Sequence, residues 1–60
     1  MKLYDTVELI EDIDNLKKGS IGVIVELYND KCYLEIIDNK GETLGILYDV
    51  PLSKLHLCNK

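Results

Sequence analysis

The side chains of this chain best suited to nucleophilic or acid–base chemistry are one histidine, two cysteines and two serines: His56, Cys32, Cys58, Ser20 and Ser53. Nucleophilic catalysis needs a nucleophile, a base within reach and a group that orients the base. A single histidine cannot fill more than one of those places. His56 and Cys58 stand at i, i+2, which on a strand puts them on one face and makes a Cys–His dyad conceivable. Such a dyad also needs a pocket to enclose a substrate, and the last strand of a 60-residue chain offers none. Ser20 follows a Lys-Gly turn and Ser53 follows Pro51, positions where a hydroxyl usually caps a turn or helix. The reading is a protein that is not an enzyme, with no catalytic residue.

Metal chemistry is equally thin. Asp12, Asp14 and Asn15 put three oxygen-bearing side chains in one stretch, as hard cations prefer. The spacing lacks the further ligand, the glycine and the final glutamate of a calcium loop, so a solvated acidic loop is expected. Cys32 and Cys58 form no C-x-x-C pair, which removes the zinc-ribbon and thioredoxin-type patterns. Asp5 and Glu8 interrupt what would be the apolar part of a secretion signal, so a cytoplasmic location with reduced, hydrophobe-like cysteines is expected. Neither a metal nor a cofactor is implied.

The four tyrosines carry more. Tyrosine supplies large, rigid contact area with a polar tip and is enriched at interfaces. Tyr4, Tyr28, Tyr33 and Tyr48 could each close the core edge and donate to backbone. Tyr28 and Tyr33, however, flank the Asn29-Asp30 turn, with Glu26 nearby. Tyr28, Asp30, Tyr33 and Glu26 are therefore the expected partner-binding residues, on an acidic and aromatic surface.

The elements that must position these residues are strands. The chain has no Ala, Arg, Gln, Phe or Trp, and it carries seven Ile, four Val and two Thr, a balance that favours strand over helix. Its length allows one domain, residues 1–60, and no apolar run reaches the roughly 20 residues of a membrane-spanning helix. Turn signals at Lys17-Lys18-Gly19, Asn29-Asp30, Asp38-Asn39-Lys40-Gly41 and Pro51 separate runs at 4–10, 20–28, 32–38, 43–50 and 56–58. Between the first two runs, Ile13 and Leu16 either share one face of a one-turn helix or close a loop. The run from Pro51 to Leu55 fits one 3₁₀ turn. Alternation breaks near Gly22, which predicts either a bulge there or a close backbone approach that a β-carbon would strain. The predicted core is Val7, Leu9, Ile21, Ile24, Leu34, Ile36, Ile46 and Leu55. Glu26 and Glu35 are expected on the surface or partly buried, paired with lysines. Five short strands in so small a chain suggest a closed or nearly closed barrel, because an open sheet would expose an apolar face and two edges.

The run Leu16-Lys17-Lys18-Gly19-Ser20-Ile21-Gly22-Val23-Ile24-Val25-Glu26, then Tyr33-Leu34-Glu35-Ile36-Ile37-Asp38, Gly41 and Pro51-Leu52-Ser53-Lys54-Leu55, resembles the SH3-like and KOW-type small barrels. With the opening Leu3-Tyr4-Asp5-Thr6-Val7, nearly the whole chain is similar to a family of short bacterial proteins catalogued as domain of unknown function 4926. The resemblance implies a mainly β, SH3-like five-stranded small barrel with one 3₁₀ turn before the last strand. It implies no activity and no cofactor. KOW barrels that bind nucleic acid carry basic and aromatic loops, whereas the corresponding loops here hold Glu11, Asp12, Asp14, Asp30 and Asp38.

The expected function is a non-enzymatic binding module that docks on another, basic protein, in the manner of an inhibitor, antitoxin or immunity-type partner. The net charge of −4 favours a basic partner. The alternatives are a KOW-type nucleic-acid-binding barrel using Lys17, Lys18, Lys31 and Lys40, and an accessory subunit of a larger enzyme. The absence of arginine and the excess of eleven carboxylates over seven lysines weigh against nucleic acid, and no membrane partner is implied.

Overall fold

Strands form where β-branched and aromatic residues alternate, and turn residues separate one strand from the next. The computed structural model describes residues 1–58. In chain order it contains β1 (Thr6–Leu9), β2 (Ile21–Tyr28), β3 (Lys31–Ile37), β4 (Thr43–Pro51), a 3₁₀ turn (Leu52–Lys54) and β5 (Leu55–Leu57). All pairings are antiparallel, in one sheet of order β4-β3-β2-β1-β5. The fold is thus mainly β, with five strands and the expected 3₁₀ turn before the last.

The turns follow from residue type. Asn29 (φ 52°) opens the two-residue β2–β3 connection, and Gly41 (φ 84°) supplies the left-handed residue between β3 and β4. There the Asp38 carboxylate accepts from the Lys40 and Glu42 amides at 2.8 and 2.9 Å, an Asx-type turn. The stretch between β1 and β2 is a loop and not a helical turn. Ile13 and Leu16 exchange backbone hydrogen bonds of 2.9 and 2.8 Å around Asp14, whose φ is 53°.

One hydrophobic cluster draws on every strand: Val7 and Leu9, Ile24, Cys32 with Leu34 and Ile36, Leu47 with Val50, and Leu55. Ile13, Leu16, Leu27, Leu52 and Leu57 pack around it. The sheet therefore curls around its own apolar face. The connection demands this. β4 and β5 lie at opposite ends of the strand order, so a flat sheet would hold them about 19 Å apart at about 4.8 Å per strand. The four residue steps from Pro51 to Leu55 reach at most about 14 Å. Curling does not become closure: β4 and β5 share no ladder, so of the closed or nearly closed barrel expected from strand count the sheet stops short of the closed form.

Three details differ from the sequence expectation. The irregularity in β2 lies between Ile24 and Glu26, not at Gly22, whose register is regular with Val7 and Ile36 on either side. The extra residue lets Ile24 and Leu27, three apart, both reach the core. In β4 the inward residues are Leu47 and Val50, again three apart, because the register shifts opposite Tyr33 and Asp49 turns left-handed (φ 55°). Ile46, expected in the core, is 47% exposed, and Ile21 is only half-buried. Cys32, by contrast, is fully buried, and burial pushes its thiol pKa up.

Gly22 is constrained by contact instead of by a bulge. A β-carbon there would lie 3.0 Å from Ile36 Cδ1 and 3.2 Å from the Glu35 carbonyl oxygen. Gly22→Val is expected to destabilise by about 1–3 kcal/mol through that contact, and unfolding at the wild-type temperature would remove the argument. The two faces of the sheet separate in a second experiment. Ile36→Ala should cost about 2–5 kcal/mol, while Ile46→Ala should stay within about 1 kcal/mol. Equal losses in denaturant titrations would mean that β4 presents its other face to the core.

Candidate aromatic docking surface

Residues that point away from the core build a continuous outer face. β3 contributes Tyr33, Glu35 and Ile37, and β4 contributes Leu44, Ile46 and Tyr48, of which Leu44 and Tyr48 are 62% and 63% exposed. Across the ladder, Glu35 pairs with Val23 on one side and with Ile46 on the other. Ile37 lies beside Ile21.

At the hairpin end of this face three tyrosine rings meet. Tyr33 stands edge-on to Tyr28 at 5.6 Å and to Tyr48 at 4.8 Å, with interplanar angles of 85° and 80°. Edge-to-face geometry sets the positive rim of one ring against the negative face of the next. The Tyr28 hydroxyl donates to the Asp49 carboxylate. That bond, aided by burial and by the nearby negative charge, holds the phenol pKa well above its ordinary value. Asp49 can reach Tyr28 because its left-handed backbone turns the chain at the β4 irregularity.

Of the expected partner-binding residues, Tyr28 and Tyr33 are brought into one cluster, and Glu26 lies directly across from Tyr33 in the ladder. Asp30 sits exposed in the turn beyond them, where its carbonyl accepts from Leu52 N–H at 2.8 Å. Tyr48 and Asp49 belong to the same corner and were missed. The alternation of Leu44, Ile46 and Tyr48 grouped them on one face, but nothing in the pattern said which face was outward. Tyr4, 73% exposed, stands apart on β1's approach.

The remaining candidates have structural roles. Asp12 accepts from the Lys18 amide at 2.8 Å and so fastens the Lys-Gly turn. Glu35 accepts from the Thr43 hydroxyl at 2.5 Å, where a lysine partner was expected. The ion pair among the described residues joins Lys54 to Glu11 at 3.5 Å, on exposed side chains where it contributes little. Ser53 caps nothing: the residue before the 3₁₀ turn is Pro51, which makes no side-chain cap. His56 is exposed on β5 opposite Glu8, and Cys58 follows the strand half-buried as a free thiol. Among the described residues there is no enclosed pocket and no cluster of metal-ligating side chains. No described helix is long and apolar enough to cross a membrane.

The Tyr28–Asp49 contact has a spectroscopic consequence. The folded state retains a proton that the unfolded chain releases near the ordinary phenol value of about 10. Its contribution to stability is therefore present below that pH and is lost as pH rises above it. In absorbance titrations of the folded protein near pH 10, Tyr28→Phe should leave the tyrosinate amplitude unchanged, since Tyr28 does not ionise there. Asp49→Asn keeps the left-handed backbone but removes the charge, and it should add amplitude. A loss of one tyrosine's signal in Tyr28→Phe would contradict the contact.

The model of the family described as "Domain of unknown function (DUF4926)" matches residues 3–56, and the chain belongs to that family. No curated protein and no solved structure matches it.

Proposed function

We propose that this member of the DUF4926 family is a non-enzymatic binding module of the cytoplasm. On this reading its aromatic corner docks on a basic protein, as an inhibitor, antitoxin or immunity-type partner does. The observation that supports the reading most is the three-tyrosine corner itself: Tyr28, Tyr33 and Tyr48 packed edge to face, continuous with outward Leu44 and Ile46. Pre-packed rings lose little side-chain freedom on binding, which is what makes aromatic anchors effective. Glu26, Asp30, Glu35 and Asp49 lie around or beside that corner in the strand register and turn. Carboxylates at the rim of an apolar patch would steer a cationic partner and reject an anionic one.

The test pairs a capture experiment with a titration. Tagged wild-type protein and a Tyr33→Ala, Asp30→Lys double variant are used to recover partners from the native cell extract. A specific basic protein held by the wild type and lost from the folded variant, then rebuilt as a purified complex weakened at least tenfold by the substitutions, is the expected outcome. Labelled RNA and DNA of mixed sequence are titrated in parallel near physiological salt. Saturable nucleic-acid binding tighter than micromolar, abolished by Lys17→Glu with Lys18→Glu, would replace the protein-partner reading with the KOW-type one.

A further inference from the structure

β4 is the long open edge of the sheet. It spans nine residues, pairs with β3 on one side and has no ladder on the other among the described residues. Edge strands of this length are ordinarily protected by charge, and β4 carries only Asp49. Its exposed side chains are Leu44, Ile46 and Tyr48. The opposite edge, β5, has three residues.

We propose that β4 pairs antiparallel with β4 of a second copy of this chain, about a two-fold axis through Ile46. The register follows from the residues. With Ile46 facing its own copy, Leu44 meets Tyr48, Gly45 meets Leu47, and Thr43 meets Asp49. Glu42, just before the strand, then falls opposite Val50. No carboxylate faces another, although the chain as a whole carries a charge of −4. On the outer face this register forms an apolar stripe of Leu44, Ile46 and Tyr48 from each copy, the cross-strand contact that stabilises antiparallel pairs. The irregularities of β4 also match the symmetry. The register skips Leu44 and shifts again at Tyr48–Asp49, so the bends lie two residues to either side of Ile46 and each meets its counterpart. Those bends confine the ladder to the middle of the strand and make the dimer a weak one. The assembly closes at two copies, because pairing through the same edge consumes it and three-residue β5 gives no equivalent edge for growth.

Sedimentation velocity over a range from micromolar to about millimolar should show a reversible monomer–dimer equilibrium. It should tighten as salt is raised from low to physiological, since screening reduces repulsion between acidic copies. Ile46→Lys puts two ammonium groups at the axis and should weaken the dimer at least tenfold, with a circular dichroism spectrum like the wild type's because the side chain faces solvent. The register is tested by cross-linking in a Cys58→Ser background with diamide as oxidant. Ile46→Cys should give a disulfide dimer, since directly opposed residues stand within disulfide range. Leu44→Cys, which faces Tyr48, should not, whereas Leu44→Cys combined with Tyr48→Cys should. A chain that stays monomeric throughout, a dimer indifferent to Ile46→Lys, or equal cross-linking by Leu44→Cys alone would each overturn the proposal.

Discussion

Three residues, Leu52–Lys54, join strands that stand at opposite ends of the sheet, and the rest of the structure depends on that short span. A flat arrangement of five strands cannot be bridged by it, so the sheet must curl. Two backbone hydrogen bonds fasten the span to both halves of the molecule. Leu52 N–H donates to the Asp30 carbonyl at the β2–β3 turn, and Ile10 N–H donates to the Lys54 carbonyl at 3.0 Å, at the end of β1. The turn thus clasps an otherwise open sheet without completing its ladder. Curling in turn supplies what a helix or second sheet would supply in a larger domain: cover for the apolar face, with Val7, Ile24, Leu34 and Ile36 almost wholly removed from water.

Curling requires bends, and the bends decide what is exposed. At β2 the irregularity after Ile24 lets one strand serve both halves of the core. At β4 the left-handed Asp49 returns Val50 to the interior while it leaves Tyr48 outside. The same bend carries the Asp49 carboxylate to Tyr28. A feature needed for folding therefore also builds the aromatic corner, and the candidate docking surface lies where the sheet is most strongly shaped instead of in a cavity. Gly22 is the complementary requirement: β1, β2 and β3 meet there in the row Val7–Gly22–Ile36, where a β-carbon would press on Ile36 Cδ1 and the Glu35 carbonyl oxygen.

Much of this was legible in the sequence. Turn residues marked each strand end to within about two residues, since Asn29 and Gly41 sit where their types favour a left-handed backbone. β3 could be assigned to its faces because Leu34 and Ile36 alternate with Tyr33 and Glu35 without a break. β4 could not. Leu44, Ile46 and Tyr48 alternate as well as any core stripe, and Leu47 with Val50 makes sense only once the shift at Asp49 is known. A pattern of apolar residues gives the period of a strand but not the bulge that changes its phase. The same limit hid half of the aromatic corner, because Tyr48 and Asp49 reach Tyr33 and Tyr28 only across strands. Gly22 was singled out correctly as a position that resists a side chain, but its cause, close packing by a neighbouring strand, is a tertiary contact that alternation cannot report.

The 3₁₀ turn fastens the two ends of the sheet into one cooperative unit. Native-state hydrogen exchange by NMR tests it most directly, through the amides of Leu52 and Ile10. Neither lies inside a strand, and each donates one of the fastening bonds. Both should exchange only with global unfolding, with the same opening free energy as the amide of core Ile24. If the Leu52 and Ile10 amides exchange at nearly the rate of an unfolded chain while Ile24 stays protected, the turn is not a clasp, and the curl must be held by the core alone.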